Sequence, residues 1–164
     1  MDNFKSANRP FIKKPRVGKT VYSYYCLDFL HPGHLLFMKN AWNLAGPGGK
    51  SIVGILSDKA IEEKKPKPIM PLHDRIAIAQ SLRFVDLVIP QETYLPIENI
   101  ERLKPDILVE SASHSRQDIE NARDAMRKWG GRVVVLPYFS EYSSSAVKEK
   151  IISTIETIST NEAN

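Results

Sequence analysis

The sequence predicts an α/β protein: a Rossmann-like three-layer α/β/α domain around a five-stranded parallel sheet. Two observations carry this. Five short apolar runs recur along the chain, several rich in β-branched residues, each the length of a buried strand. Segments of helical periodicity separate them, and that alternation implies right-handed βαβ units with helices on both faces of the sheet. At 164 residues the chain is about one domain's worth, enough for one good core.

The elements follow in order. Val21 to Leu27 reads as a first strand, rich in aromatics. Gly33 to Ala45 reads as a helix, stopped by Gly46-Pro47-Gly48-Gly49. Ser51 to Leu56 is a continuous apolar run, as expected for a buried parallel strand. Pro71 to Arg83 reads as a helix with proline in its first turn. Val85 to Ile89 is a third strand, Pro96 to Leu103 a short helix and Asp106 to Val109 a fourth strand. Arg116 to Trp129 is a helix ended by Gly130-Gly131, and Arg132 to Leu136 is the fifth strand. A last helix runs from Ser143 to about Ile158, with Ser143 to Ser145 offering hydroxyl N-caps. Residues 20–158 are therefore expected to form the domain, with 159–164 a frayed polar end.

Charge is unevenly placed. Residues 1–19 carry a net charge of +5 and the rest of the chain −1, so the basic balance belongs to a tail. That tail reads as a solvated, flexible extension or as an arm for a polyanion or partner. No zinc-finger or RNA-recognition motif accompanies it, so nucleic acid is not the expected partner. No apolar run is long enough to span a bilayer, and Met1 to Lys19 lacks a signal-like stretch, so the cytoplasm is the expected location. The single cysteine, Cys26, excludes an internal disulfide and fits a reducing compartment.

In open parallel sheets ligands bind beyond the carboxyl ends of the strands. The first strand-to-helix turn contains His31-Pro32-Gly33-His34. Two imidazoles three residues apart at a helix start face the same way, beside unpaired backbone N–H groups, and Gly33 lets backbone approach a ligand closely. Such a turn can hold phosphate. Other strand ends add Asp58, Lys59, Lys64, Lys65 and Lys67, then Arg75, then Gln91 to Tyr94, then Tyr138 to Ser145. Histidines, lysines, an arginine and hydroxyls together suit a polyphosphate. Cys26 reads as a packed thiol with no basic partner to make it a nucleophile.

These segments carry a resemblance. Leu27-Asp28-Phe29-Leu30-His31-Pro32-Gly33-His34, Val53 to Asp58, Met70 to Arg75, Leu82 to Asp86, Val88 to Thr93, Leu103 to Asp106, Gly130 to Pro137 and Tyr142 to Ser145 occur in an order and spacing that resemble the His-x-Gly-His nucleotidyltransferase superfamily. The nearest parallels are glycerol-3-phosphate and phosphonate cytidylyltransferases and the adenylyltransferase domain of heptose-phosphate enzymes. The resemblance spans roughly Thr20 to Ile152. It implies transfer of CMP from CTP to a small phosphate or phosphonate acceptor, with release of pyrophosphate. It implies His31 and His34 on the triphosphate and transition state, with Lys64 steadying the reacting phosphates. Cys26, Leu27, Asp28, Gly33, Ser111, Ser113, Tyr138, Ser143 and Ser144 fall at nucleotide-binding positions, and Lys67, Arg83 and Tyr94 at acceptor or phosphate positions. Mg²⁺ bound through the phosphates, rather than by protein ligands, and a homodimer are implied as well.

The chain departs from the family pattern at three places. Tyr25 stands where a glycine is usual, Ser113 replaces an acid that often reads the base, and Tyr138-Phe139 replace Arg-Thr, with Glu141 in place of a glycine. Two alternatives to the CTP reading therefore stay open: ATP with a sugar phosphate, and a nucleotide-binding protein with altered or lost turnover.

Overall fold

The computed structural model describes residues 18–138 and 143–162. Residues 1–17 of the basic tail, Phe139, Glu141 and Tyr142 of the last motif, and Ala163 and Asn164 lie outside them. In chain order the elements are β1 (Thr20–Tyr25), α1 (Pro32–Ala45), β2 (Lys50–Leu56), α2 (Asp58–Glu62), α3 (Leu72–Gln80), β3 (Leu87–Gln91), α4 (Ile97–Leu103), β4 (Ile107–Ser111), α5 (Arg116–Arg127), β5 (Arg132–Leu136) and α6 (Ser144–Glu162). All five strands pair in parallel in the order β3-β2-β1-β4-β5, as the sequence predicts. The order reverses at β1, so the crevice beyond the ends of β1 and β4 is the ligand position this topology favours.

Alternation along β1 builds the two sides of the core. Val21 and Tyr25 pack with residues of α1 and α3 on one face; Tyr22 and Tyr24 pack with α4 and α5 on the other. Helix α5 buries only Ala122, Ala125 and Met126, the spacing of a single apolar stripe, and leaves its charges in water. Gly54 on β2 leaves space for a neighbour: a Cβ there would lie 2.0 Å from the Tyr22 hydroxyl. That hydroxyl donates to Gln91 Oε1 (2.7 Å) and accepts from Asn99 Nδ2 (2.8 Å), a buried network tying β1 to β3 and α4.

The departures from expectation are local. Helix α2 is absent from the sequence reading, because five residues give too little periodicity; Ser57 caps it, its Oγ accepting from Ala60 N (3.2 Å), while Ala60 and Ile61 anchor it. Strand β3 starts at Leu87 rather than Val85, since Asp86 instead bonds to Ser51 at the start of β2 through both N–H and carboxylate. Pro90 lies within β3 without penalty because β3 is an edge strand. Helix α3 stops at Gln80, where the Ser81 hydroxyl bonds back to the Ile78 carbonyl (2.7 Å). Helix α6 continues to Glu162, past the expected end near Ile158. Among the described residues no helix is long and apolar enough to cross a membrane.

Candidate active site

A cleft of about 530 Å³ lies over the carboxyl ends of the strands. Its floor is the turn between β1 and α1. Leu27 there adopts φ +57°, a left-handed conformation that a leucine takes only when its surroundings impose it. The residues on either side show what imposes it. The Cys26 carbonyl accepts from Arg75 Nη1 (2.7 Å), and Asp28 Oδ1 accepts from Ile69 N and Met70 N (2.8 Å each). Arg75 is fully buried and also bonds Leu56 O, Met70 O and Asp58 Oδ1. It is a clamp joining the ends of β1 and β2, not the rim cation for phosphate that the sequence implied.

Asp28 Oδ2 faces Lys148 Nζ of α6 at 2.5 Å. Burial alone would raise the Asp28 carboxyl, but hydrogen bonds from Lys148, Met70 and Ile69 outweigh it and hold the group below the usual carboxylate range. Ser144 Oγ also reaches the Phe29 carbonyl (3.3 Å), so the start of α6 is fastened to the first turn at two points. Ser143 caps α6, its Oγ accepting from Ala146 N (3.1 Å).

Helix α1 opens into the cleft. Its N-cap, His31, makes no side-chain capping bond, Pro32 follows, and the first turn carries no acid, so the positive end of the helix dipole is uncompensated. The rings of His31 and His34 stack with centroids 3.7 Å apart, and the edge of His34 meets Tyr25. Nδ1 of each ring is buried without a hydrogen-bond partner among the described residues. Burial, aided by His31 and Lys65, pushes His34 down to about 3; contact with the Phe29 backbone opposes this but leaves Nδ1 unsatisfied. Burial lowers His31 as well. Two neutral imidazoles at an open helix N-terminus can donate to an anion without repelling each other beforehand.

The cleft brings together Cys26, Asp28, Gly33, His31, His34, Tyr94, Ser111, Tyr138, Ser143 and Ser144 of the expected site residues. Burial raises the Cys26 thiol above its usual value, which keeps it protonated and unreactive. Five expected residues do not line it. Leu27 is wholly buried in the core. Ser113 does not line the cleft and instead shares a hydrogen bond with Ser111 Oγ (2.8 Å). Lys64 donates to Asp118 Oδ2 (2.7 Å), and that bond is the main reason the Asp118 carboxyl is held low. Lys67 is exposed outside the cleft. Arg83 lies beyond the end of α3, over the Phe84 ring, near the amino ends of the strands.

Lys65, one of the lysines the sequence offered for phosphate, lines the cleft together with His114, and the expected site set missed Lys148, Glu149 and Tyr24, which line it too. Lys148 and Glu149 lie just beyond the serine motif on α6, and helical spacing places Lys148 one turn after Ser144. The contacts of Tyr24 with Glu110 and His114 depend on strand pairing and carry no local signal.

Among the described residues no three His, Cys, Asp or Glu side chains gather as metal ligands. Asp28, beside the histidines, already spends its oxygens on two N–H groups and Lys148. These donors do not fit a metal held by the protein itself.

The open sheet and its histidine-bordered helix end define a nucleotide-handling α/β domain. A cytidylyltransferase-like family profile matches residues 26–150, and the chain belongs to that family. Relatives named bifunctional protein HldE are 33% identical over 135 residues in both Magnetococcus marinus and Hahella chejuensis, covering 81% of this chain. The chain spans only about a quarter of the length of those relatives, 27% and 28%. A lipopolysaccharide core biosynthesis protein from Thermoplasma volcanium shares the fold, with TM-score 0.63 and 21% identity, covering 77% of this chain and all of that one. A protein of unknown function from Archaeoglobus fulgidus is similar at TM-score 0.56 and 16% identity, over 73% of this chain and 98% of its own.

Proposed function

We propose that this cleft transfers a nucleoside monophosphate from a Mg–nucleoside triphosphate, CTP by preference, to a small phosphate or phosphonate, releasing pyrophosphate. The observation that carries it is the unsatisfied pair His31–His34 at the uncompensated N-terminus of α1, within a chain of the cytidylyltransferase-like family. In the reaction an acceptor oxygen attacks the α-phosphorus and forms the new P–O bond. The bond to the β-phosphate oxygen breaks, and its electron pair leaves with pyrophosphate. The acceptor oxygen is already anionic, so no base is needed, and catalysis consists of positioning and charge stabilisation. His31 and His34 donate to the oxygens of the α-phosphate as charge builds there. Ser143, Ser144 and the end of α6 face the departing phosphates. Mg²⁺ arrives with the triphosphate as part of the substrate.

The CTP reading is motivated by the ordered motif series, especially the run Val88-Ile89-Pro90-Gln91-Glu92-Thr93 and the final serine turn, while the family profile supports nucleotidyl transfer in general. ATP with a sugar phosphate is the second reading, favoured by the HldE relatives. Measurement of pyrophosphate release from CTP and ATP, across a panel of small phosphates, phosphonates and sugar phosphates, decides between them. Turnover with CTP supports the first, turnover with ATP alone the second. Nucleotide binding without release from either would leave a binding protein.

A further inference from the structure

The Tyr94 end of the cleft contains a second polar cluster. Glu110, near the end of β4, is 2% exposed, and a buried carboxylate requires donors. The Tyr24 hydroxyl donates to its two oxygens at 3.1 Å each, and His114 Nδ1 lies 2.5 Å from Oε2. The imidazole is held between the rings of Tyr24 and Tyr94, with centroids 5.5 and 6.2 Å away. Its Nδ1 therefore faces Glu110 and, at 3.2 Å, the Tyr24 hydroxyl, while among the described residues no hydrogen bond reaches Nε2, and the ring lines the cleft. Beside the same Tyr94 ring stand Lys64 Nζ, 4.7 Å from the centroid, and Lys65 Nζ, 6.0 Å away. Asp118 offsets Lys64; among the described residues Lys65 has no carboxylate partner.

We propose that His114 and Lys65 bind the anionic head group, phosphate or phosphonate, of the acceptor, with Glu110 as the positioning residue that commits Nδ1 and leaves Nε2 for the ligand. The ring thus offers one nitrogen to Glu110 and the other to a ligand, and hydrogen bonds with an anionic partner are the strong ones. This inference rests on reading the cleft as a nucleotidyl-transfer site, with the triphosphate at the other end against His31 and His34.

The test is a ¹⁵N NMR titration of the imidazoles in the full chain. The α,β-methylene analogue of CTP is added to saturation, then methylphosphonate. The nucleotide analogue is expected to move His31 and His34, and methylphosphonate to move His114. His114→Ala should weaken methylphosphonate binding about tenfold or more, leaving analogue affinity within about twofold, and Lys65→Ala should weaken methylphosphonate binding about as much. Glu110→Gln should shift the His114 signals before any ligand is added, which a purely structural carboxylate far from the ligand would not do. A silent His114 beside responding His31 and His34 overturns the acceptor site but leaves the proposed function standing. A His114 that responds to methylphosphonate while the analogue moves neither His31 nor His34 sustains the anion site and overturns the proposed function. Equal loss of analogue binding in His114→Ala overturns the assignment to the acceptor.

Discussion

The two ends of the cleft are built by opposite means. At the α1 end the groups at the helix start are uncharged, two imidazoles lowered by burial, an open helix N-terminus and small hydroxyl residues, with the Asp28–Lys148 pair beside them. At the Tyr94 end the polar side chains are paired, Glu110 with His114 and Asp118 with Lys64. The first end suits charge that develops during a reaction, because fixed dipoles need no rearrangement as it appears. The second suits charge that is present before the reaction, because a paired cation can exchange partners. The first end rests on the buried Arg75 clamp, the second on a buried carboxylate.

The largest effect should follow from removing the clamp. Arg75→Met leaves the Cys26, Leu56 and Met70 carbonyls without their donor and Asp58 without its partner. We expect a loss of about 3–5 kcal/mol in urea unfolding, because each buried carbonyl left without its donor costs about 1–3 kcal/mol. A loss below about 1 kcal/mol would mean that the first turn holds its shape without Arg75.

Asp28→Asn should cost less, about 1–3 kcal/mol, because the two backbone donors keep an acceptor while Lys148 loses its charge partner. The same pair of sites shapes acid stability. His34 is lowered from 6.5 to about 3 in the folded chain, so above 6.5 both states are neutral there and the group adds no pH dependence. Below 6.5 the unfolded chain takes the proton first, so stability falls with falling pH until about 3. Asp28, also lowered, contributes stability above its unfolded value of 3.8, and that contribution is lost as pH falls through its folded value. His34→Asn should therefore flatten the limb between pH 6.5 and 4 and leave the lower limb intact, as measured by unfolding at each pH.

The smallest effects are expected at the two cations outside the cleft. Lys67→Ala and Arg83→Ala should change turnover less than about twofold and stability by no more than about 0.5 kcal/mol. A tenfold rise in acceptor KM in either variant would place the acceptor away from Tyr94.

The α1 end was legible in the sequence because its parts are local: His31, Pro32, Gly33 and His34 are consecutive, and the apolar runs on either side set strand and helix. The five strands were legible for the same reason. The Tyr94 end was not, since Glu110 meets Tyr24 only through the β1–β4 pairing, and Lys64, Lys65 and Lys67 look alike until the chain after α2 takes its path. Arg75 reads as a rim cation in a string of residues; only the packing of α3 against β2 turns it inward. Arg83 was drawn into the site by its motif, although the turn after α3 sets it near the amino ends of the strands.

The central claim, that the α1 histidines stabilise a transferring α-phosphate, is tested most directly by pyrophosphate release in wild type and His34→Ala, each shown by thermal melting to be folded. The account predicts steady release by the wild type with a small phosphate or phosphonate acceptor, and a fall of about 10²–10³-fold in kcat for the variant, with the melting temperature little changed. Unchanged kcat in a folded His34→Ala protein would contradict it.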